Sequence, residues 1–309
     1  MTWQCLVLGL ELLSPLHIGF LPNQPGSVLA RTRCYVPGKS LWGSVVASIT
    51  PRLHQNVTAS DYQDIGRQLC RDVCFSYFYL SDHAQVFFPD YGENGLSWGN
   101  MSDREFRSRF VGAYVSTRLG ESGGAQDGTL HEIEFIRRQA GSPAEPVEKV
   151  VLAGMVWIQK GAKVGQQVIS VHDGSAYAGD VDIFAGIHLG GERNYGFGRV
   201  RRVVLPEGVQ KEVCDHWPDS PEVEVPVDIS RPLPGHIPYR KDIPFKGQVE
   251  IVAGREYPSG GEAEPFRRAG AHISASRDDE GYCFGPGTRL GSTGGGARLN
   301  PWGRLVWTQ

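Results

Sequence analysis

The chain has 309 residues with a formal net charge of −3, 40% hydrophobic and 21% charged residues, which fits one large globular domain or two ordinary ones with a sizeable core. An acidic balance excludes a uniformly basic nucleic-acid binder, so any grip on a polyanion must come from local patches. Its 40 glycines and 20 prolines favour a loop-rich, β-heavy fold over a helical bundle.

In chain order, residues 3–13 are mostly apolar and read as a buried opening strand; the stretch is too short, and too polar at Gln4 and Glu11, for a secretory signal. No stretch is long enough to span a bilayer, so a cytoplasmic protein is expected, with Cys5, Cys34, Cys70, Cys74, Cys214 and Cys283 as free thiols. A loop around Pro22 to Gly26 leads to a short strand, Arg31 to Val36. Val36-Pro37-Gly38-Lys39-Ser40 then turns into a helix, with Ser40 as N-cap, Leu41, Val45 and Ile49 on one face, and Pro51 as its stop or kink. Residues 60–72 predict a second helix opened by Ser60 or Asp61, and Val73 to Leu80 a strand or its approach. Cys70-x-x-x-Cys74 lacks a second half-site, so buried helix thiols are expected there and no metal.

Residues 89–109 read as loop, with Trp98 near the centre. Val111 to Thr117 and Thr129 to Arg137 predict two strands of a protruding hairpin around Leu119 to Gly128. Lys149 to Gln159 reads as a strand, Asp180 to Leu189 as a helix or strand, and Arg199 to Leu205 as a closing strand. This order predicts an α+β, ferredoxin-like sheet with insertions over residues 1–205. The acidic, Pro-rich stretch 206–235 reads as a linker or wrapping segment, and 236–309 as a β-rich extension or a degenerate second domain.

Two locally basic stretches stand out. Residues 19–39 hold Arg31, Arg33 and Lys39 and no acid, while Gly190-Gly191-Glu192-Arg193-Asn194-Tyr195-Gly196-Phe197-Gly198-Arg199-Val200 and the following Arg201 and Arg202 carry one acid only. Glycines let a ligand come close, and arginines offer planar donors to phosphate. The loop is neither a dinucleotide fingerprint nor a P-loop, because no third glycine opens a helix and no Gly-Lys-Ser/Thr closes it. It reads either as a tight structural turn or as a contact to an RNA backbone through amides, arginines and Tyr195 or Phe197. At the Pro37 turn, free amides of a helix start beside Lys39 and Ser40 suit a phosphate, and Gly43 permits close approach.

In this order, Leu16-His17-Ile18-Gly19, Pro37-Gly38-Lys39-Ser40-Leu41-Trp42-Gly43 and Gly190 to Val200 resemble the RAMP superfamily of CRISPR-associated proteins, whose RRM-like unit is closed by such a Gly-rich loop. Residues 116–118 and 128–134 look like that family's thumb hairpin, and the resemblance covers residues 3–205. It implies RNA binding inside a CRISPR effector complex of antiviral defence, with no cofactor. The catalytic aspartate of the target-cleaving backbone subunits has no counterpart, since Phe20 to Val36 holds no Asp or Glu. Trp42, the single unit and the long extension look more like the Cas five-like subunit of type III-D and related systems, which caps the complex and holds the 5′ handle of crRNA.

The resemblance thus implies crRNA, the backbone subunits of the same complex and target RNA as partners. Its RNA-binding residues would be His17, Arg31, Arg33, Lys39, Ser40, Trp42, Arg118, Gly190, Gly191, Arg193, Asn194, Tyr195, Gly196, Phe197, Gly198, Arg199 and Arg201. Trp42, Tyr114, Tyr195 and Phe197 are stacking candidates, with core packing as the alternative for each. The competing functions are a metal-independent crRNA-processing endoribonuclease using His17 or His54, a backbone subunit, and an adaptor that binds protein through its acidic and C-terminal parts.

Overall fold

The computed structural model describes residues 2–19, 28–117, 130–141, 148–252, 282–291 and 295–308. Arg118 and the hairpin tip lie outside the described residues. The chain opens with strand β1 (Trp3–Leu12), then β2 (Leu29–Ala30), β3 (Tyr35–Val36), helices α1 (Gly38–Leu53) and α2 (Ala59–Asp72), and strands β4 (Val73–Phe75) and β5 (Phe78–Ser81). The fold is mixed α+β, and strands outnumber helices.

The main sheet runs Val200–Val203, β1, Val151–Gln159, β5, β3, with β4 also on the central strand and each pair antiparallel. Val151 to Ile158 are buried throughout, so both faces of the central strand are covered. The expected strand over 73–80 is broken at Ser76, whose hydroxyl accepts from the Met155 amide at 2.8 Å. The first crossover is α1 and α2. The second carries no α-helix among the described residues; a four-stranded meander over 163–182 and the Gly-rich loop take its place, so of the helix or strand expected over Asp180 to Leu189 only Val181–Asp182 is strand, and turn and loop follow it up to a bridge from His188 to Arg199.

Local chemistry explains the other departures. Helix α1 starts at Gly38 with Pro37 as N-cap, which puts Ser40 inside the first turn, and Pro51 falls so near the end that the helix runs on to Leu53. Thr58, not Ser60 or Asp61, opens α2, its amide donating to Asp61 at 2.7 Å. Residues 89–102, expected as loop, form a three-stranded meander, followed by α3 (Asp103–Phe110), which opens with a Ser102–Glu105 capping box.

The acidic segment begins with a helix. In α4 (Glu207–His216), Val209 and Val213 are buried, and Trp217 packs edge-on to Trp157 at 6.2 Å. The C-terminal strands share the one hydrophobic core, with Ile237, Phe284, Leu290 and Leu305 in it. No described helix is long and apolar enough to cross a membrane.

Candidate nucleic-acid interface

Both motifs converge on one cleft of about 720 Å³, lined by Lys39, Ser40 and Gly43 of α1 and by Gly190, Gly191 and Arg193 of the loop, and no acid among the described residues lines it. The first turn of α1 is also free of acids, so its positive end adds to the field of Lys39 and Arg193. A Cβ at Gly43 would meet nothing within 4 Å, so that position opens into space.

Hydrogen bonds fix the two walls to each other. Ser44 donates to the His188 carbonyl at 2.6 Å, Ser48 to that of Ala185 at 3.0 Å, and Arg52 to that of Asp182 at 3.0 Å. These serines were not among the expected site residues. Their recurrence with Ser40 and Arg52 every fourth residue along α1 is the signal that marks one polar helix face.

The Gly-rich loop is clamped from below. The Gly191 amide donates to the His17 carbonyl at 2.9 Å and that of Gly198 to Pro15 at 2.8 Å. Gly190 and Gly198 have φ of +70° and +84°, and a Cβ on them would lie 2.1 and 2.0 Å from the carbonyl oxygens of His17 and Leu189. Those glycines are therefore required by packing. Arg193 braces the same loop, donating to the carbonyls of Gly190 at 3.2 Å and His188 at 2.8 Å. Asn194 and Gly196 are exposed on it, and Gly196 has open space around it.

Several expected RNA contacts are engaged inside the protein. Arg33 is buried against Glu250 and donates to the Tyr35 hydroxyl at 2.8 Å. Glu250 also accepts from His236 at 2.7 Å and Tyr35 at 3.0 Å, while Tyr77 meets the other ring nitrogen of His236 at 2.6 Å. Burial alone would raise the Glu250 carboxyl, but His236 and Arg33 outweigh it and hold it at about 2. Burial pushes His236 down, against the pull of Glu250. Trp42 is also core, its indole donating to the Gly66 carbonyl at 3.1 Å and its ring edge-on to Trp302, which leaves no free face for a base. Arg201 is held by Glu11 at 3.0 Å, and Glu11 in turn by Lys149 at 3.2 Å.

His17 is buried, with Nδ1 donating to the Glu134 carbonyl at 2.7 Å. His54 caps the far end of α1, about 10 Å along the axis beyond Ala47, which lines the cleft, at 1.5 Å per residue. Arg199 is exposed and has no side-chain partner among the described residues. Arg31 is exposed as well, and lines a second pocket of about 240 Å³ that shares Arg33 with the cleft. Phe197 packs edge-on to Phe135, whereas Tyr195 stays 53% exposed beside Tyr114 at 47%.

The described residues hold no cluster of three or more His, Cys, Asp or Glu that could bind a metal. Cys74 lies on β4 and not on a helix, donating to the Asn300 carbonyl at 3.0 Å, and burial pushes its thiol up to about 12.

No family model and no curated relative matches the sequence. Among solved structures, a chain of the type III-B Cmr-beta complex bound to cognate target RNA is 11% identical, over 64% of this chain and 96% of that one, with a TM-score of 0.36. A chain of the same complex in its apo state is 10% identical, over 66% of this chain and 98% of that one, also at 0.36. A third, from that complex with target RNA and AMPPnP, is 10% identical, over 76% and 70%, at 0.36. Likeness at that level carries no conclusion about this chain.

Proposed function

We propose that this chain is a non-catalytic RNA-binding subunit of a CRISPR effector ribonucleoprotein, and that its cleft holds the 5′ handle of crRNA while the chain caps the filament of backbone subunits. One observation carries the RNA-binding part: two motifs some 150 residues apart in sequence form the two walls of one cleft that no acid among the described residues lines. A helix N-terminus, Lys39 and Arg193 face a space wide enough for a sugar–phosphate chain. The subunit assignment rests on the motif resemblance. The strand order around β1, with each pair antiparallel, supports a ferredoxin-like, RRM-like unit whose second crossover is a β-meander. Holding, not cutting, is favoured because His17 is engaged with Glu134 and His54 does not line the cleft.

Filter binding of short single-stranded RNA at rising salt tests the reading. The plot of log affinity against log salt should be steep, and Lys39→Ala and Arg193→Ala should each flatten it by about 0.7. Wild-type protein that leaves RNA unbound at low salt, or variants with the wild-type slope, would remove the cleft from the account. Repeat RNA cut to 2′,3′-cyclic phosphate ends by the purified chain would overturn its non-catalytic assignment.

A further inference from the structure

Among the described residues, the cleft walls offer donors to phosphate but no ring to a base. Tyr114 and Tyr195 do offer rings. They come from different elements, the hairpin strand Val111–Ser116 and the turn Arg193–Tyr195, and meet with centroids 6.2 Å apart at 53°. Each leaves about half its surface in water, at 47% and 53%. The contact that docks loop on hairpin is a different one, the edge-on pair Phe135–Phe197 at 5.5 Å, so the tyrosines are not needed for that packing.

We propose that Tyr114 and Tyr195 form a stacking step that takes one unpaired nucleobase of the bound RNA, an inference that rests on the RNA-binding reading above. Three features single out a base as occupant. The step stands on the cleft's own loop, because Tyr195 comes two residues after Arg193 on the loop whose Gly190, Gly191 and Arg193 line it. The tilt leaves an open V, one ring for the base's face and the other for its edge, and the exposed Asn194 precedes Tyr195 in the chain as a donor and acceptor for polar base atoms. The turn that carries Tyr195 is wound tightly between Glu192 at φ +56° and Gly196 at φ +79°, so the ring is presented by ordered backbone.

The test is a short oligouridine carrying a single 2-aminopurine, moved one position at a time along the strand. Wild-type protein should quench its fluorescence at one position in particular. Tyr195→Leu and Tyr114→Leu, exposed substitutions that spare the core, should each relieve that quench and weaken binding by about 5- to 100-fold. Tyr195→Phe should keep both. RNA that filter binding shows to be bound, but whose quench is uniform along the strand or unchanged in the Leu variants, would overturn the step and leave the phosphate grip intact. Absence of RNA binding by wild-type protein would overturn both.

Discussion

Arg33→Met separates a structural arginine from an RNA contact. Arg33 is 7% exposed and ion-paired with Glu250, which is itself 9% exposed. Removing one partner of a buried pair costs about 3–5 kcal/mol, because the other charge is left uncompensated. Here Glu250 keeps the hydrogen bonds from His236 and Tyr35, so the low end applies, ~3 kcal/mol. With ~2.1 cal/mol/K per residue over 309 residues, the unfolding entropy is on the order of 0.65 kcal/mol/K, and the melting temperature should fall by about 5 °C. Thermal denaturation followed by circular dichroism at neutral pH reads this directly. The double variant Arg33→Met with Glu250→Leu should recover part of the loss, since no lone charge remains. A melting temperature within about 1 °C of wild type, together with weakened RNA binding, would refute the reasoning and return Arg33 to the RNA.

Gly198→Ala should destabilise by at least ~2 kcal/mol in a urea titration, because positive φ and a carbonyl 2.0 Å from the new Cβ both oppose it; an unchanged midpoint would contradict the clamp. Gly43→Glu should leave that midpoint within ~0.5 kcal/mol, since nothing occupies the space, yet weaken RNA binding at least tenfold by placing a like charge in the cleft. Acid stability has its own signature. His216 stacks on Phe88 at 3.7 Å with Nε2 sealed from water, and burial, helped by Arg231, lowers it to about 3. The unfolded chain therefore binds the proton first, and stability falls as pH drops below the ordinary histidine value toward 3. His216→Phe should flatten the fall between neutral pH and pH 5 by on the order of 1 kcal/mol in urea titrations, and a parallel pH profile would exclude His216 as its source.

Much of the molecule was legible in its sequence where apolar periodicity and backbone chemistry agree. The opening strand, α1, the hairpin strands and the central strand all appear near their expected places. The convergence of the Pro37 turn with the Gly-rich loop was readable too, since both carry glycine and basic residues with Glu192 as the one acid. Two short-range signals passed unread. Ser102 and Glu105 spell a capping box, and Asn94-Gly95 marks a tight hairpin, so 89–110 is built, not loop. Charge misled for a different reason. Arg33 and Arg201 read as free donors because Glu250 and Glu11, which neutralise them, lie 217 and 190 residues away in the chain. Trp42 was ambiguous from composition alone, and only the fold brings Gly66 and Trp302 against it.

The central claim is that RNA lies between α1 and the Gly-rich loop. Ultraviolet cross-linking of the purified protein to single-stranded RNA, followed by peptide mapping, tests it most directly. The account predicts adducts in the peptides that hold Lys39 to Ser44 and Gly190 to Arg199, which are lost in Gly43→Glu. Adducts confined to the meander over 163–182, to α4 or to the C-terminal strands would contradict it.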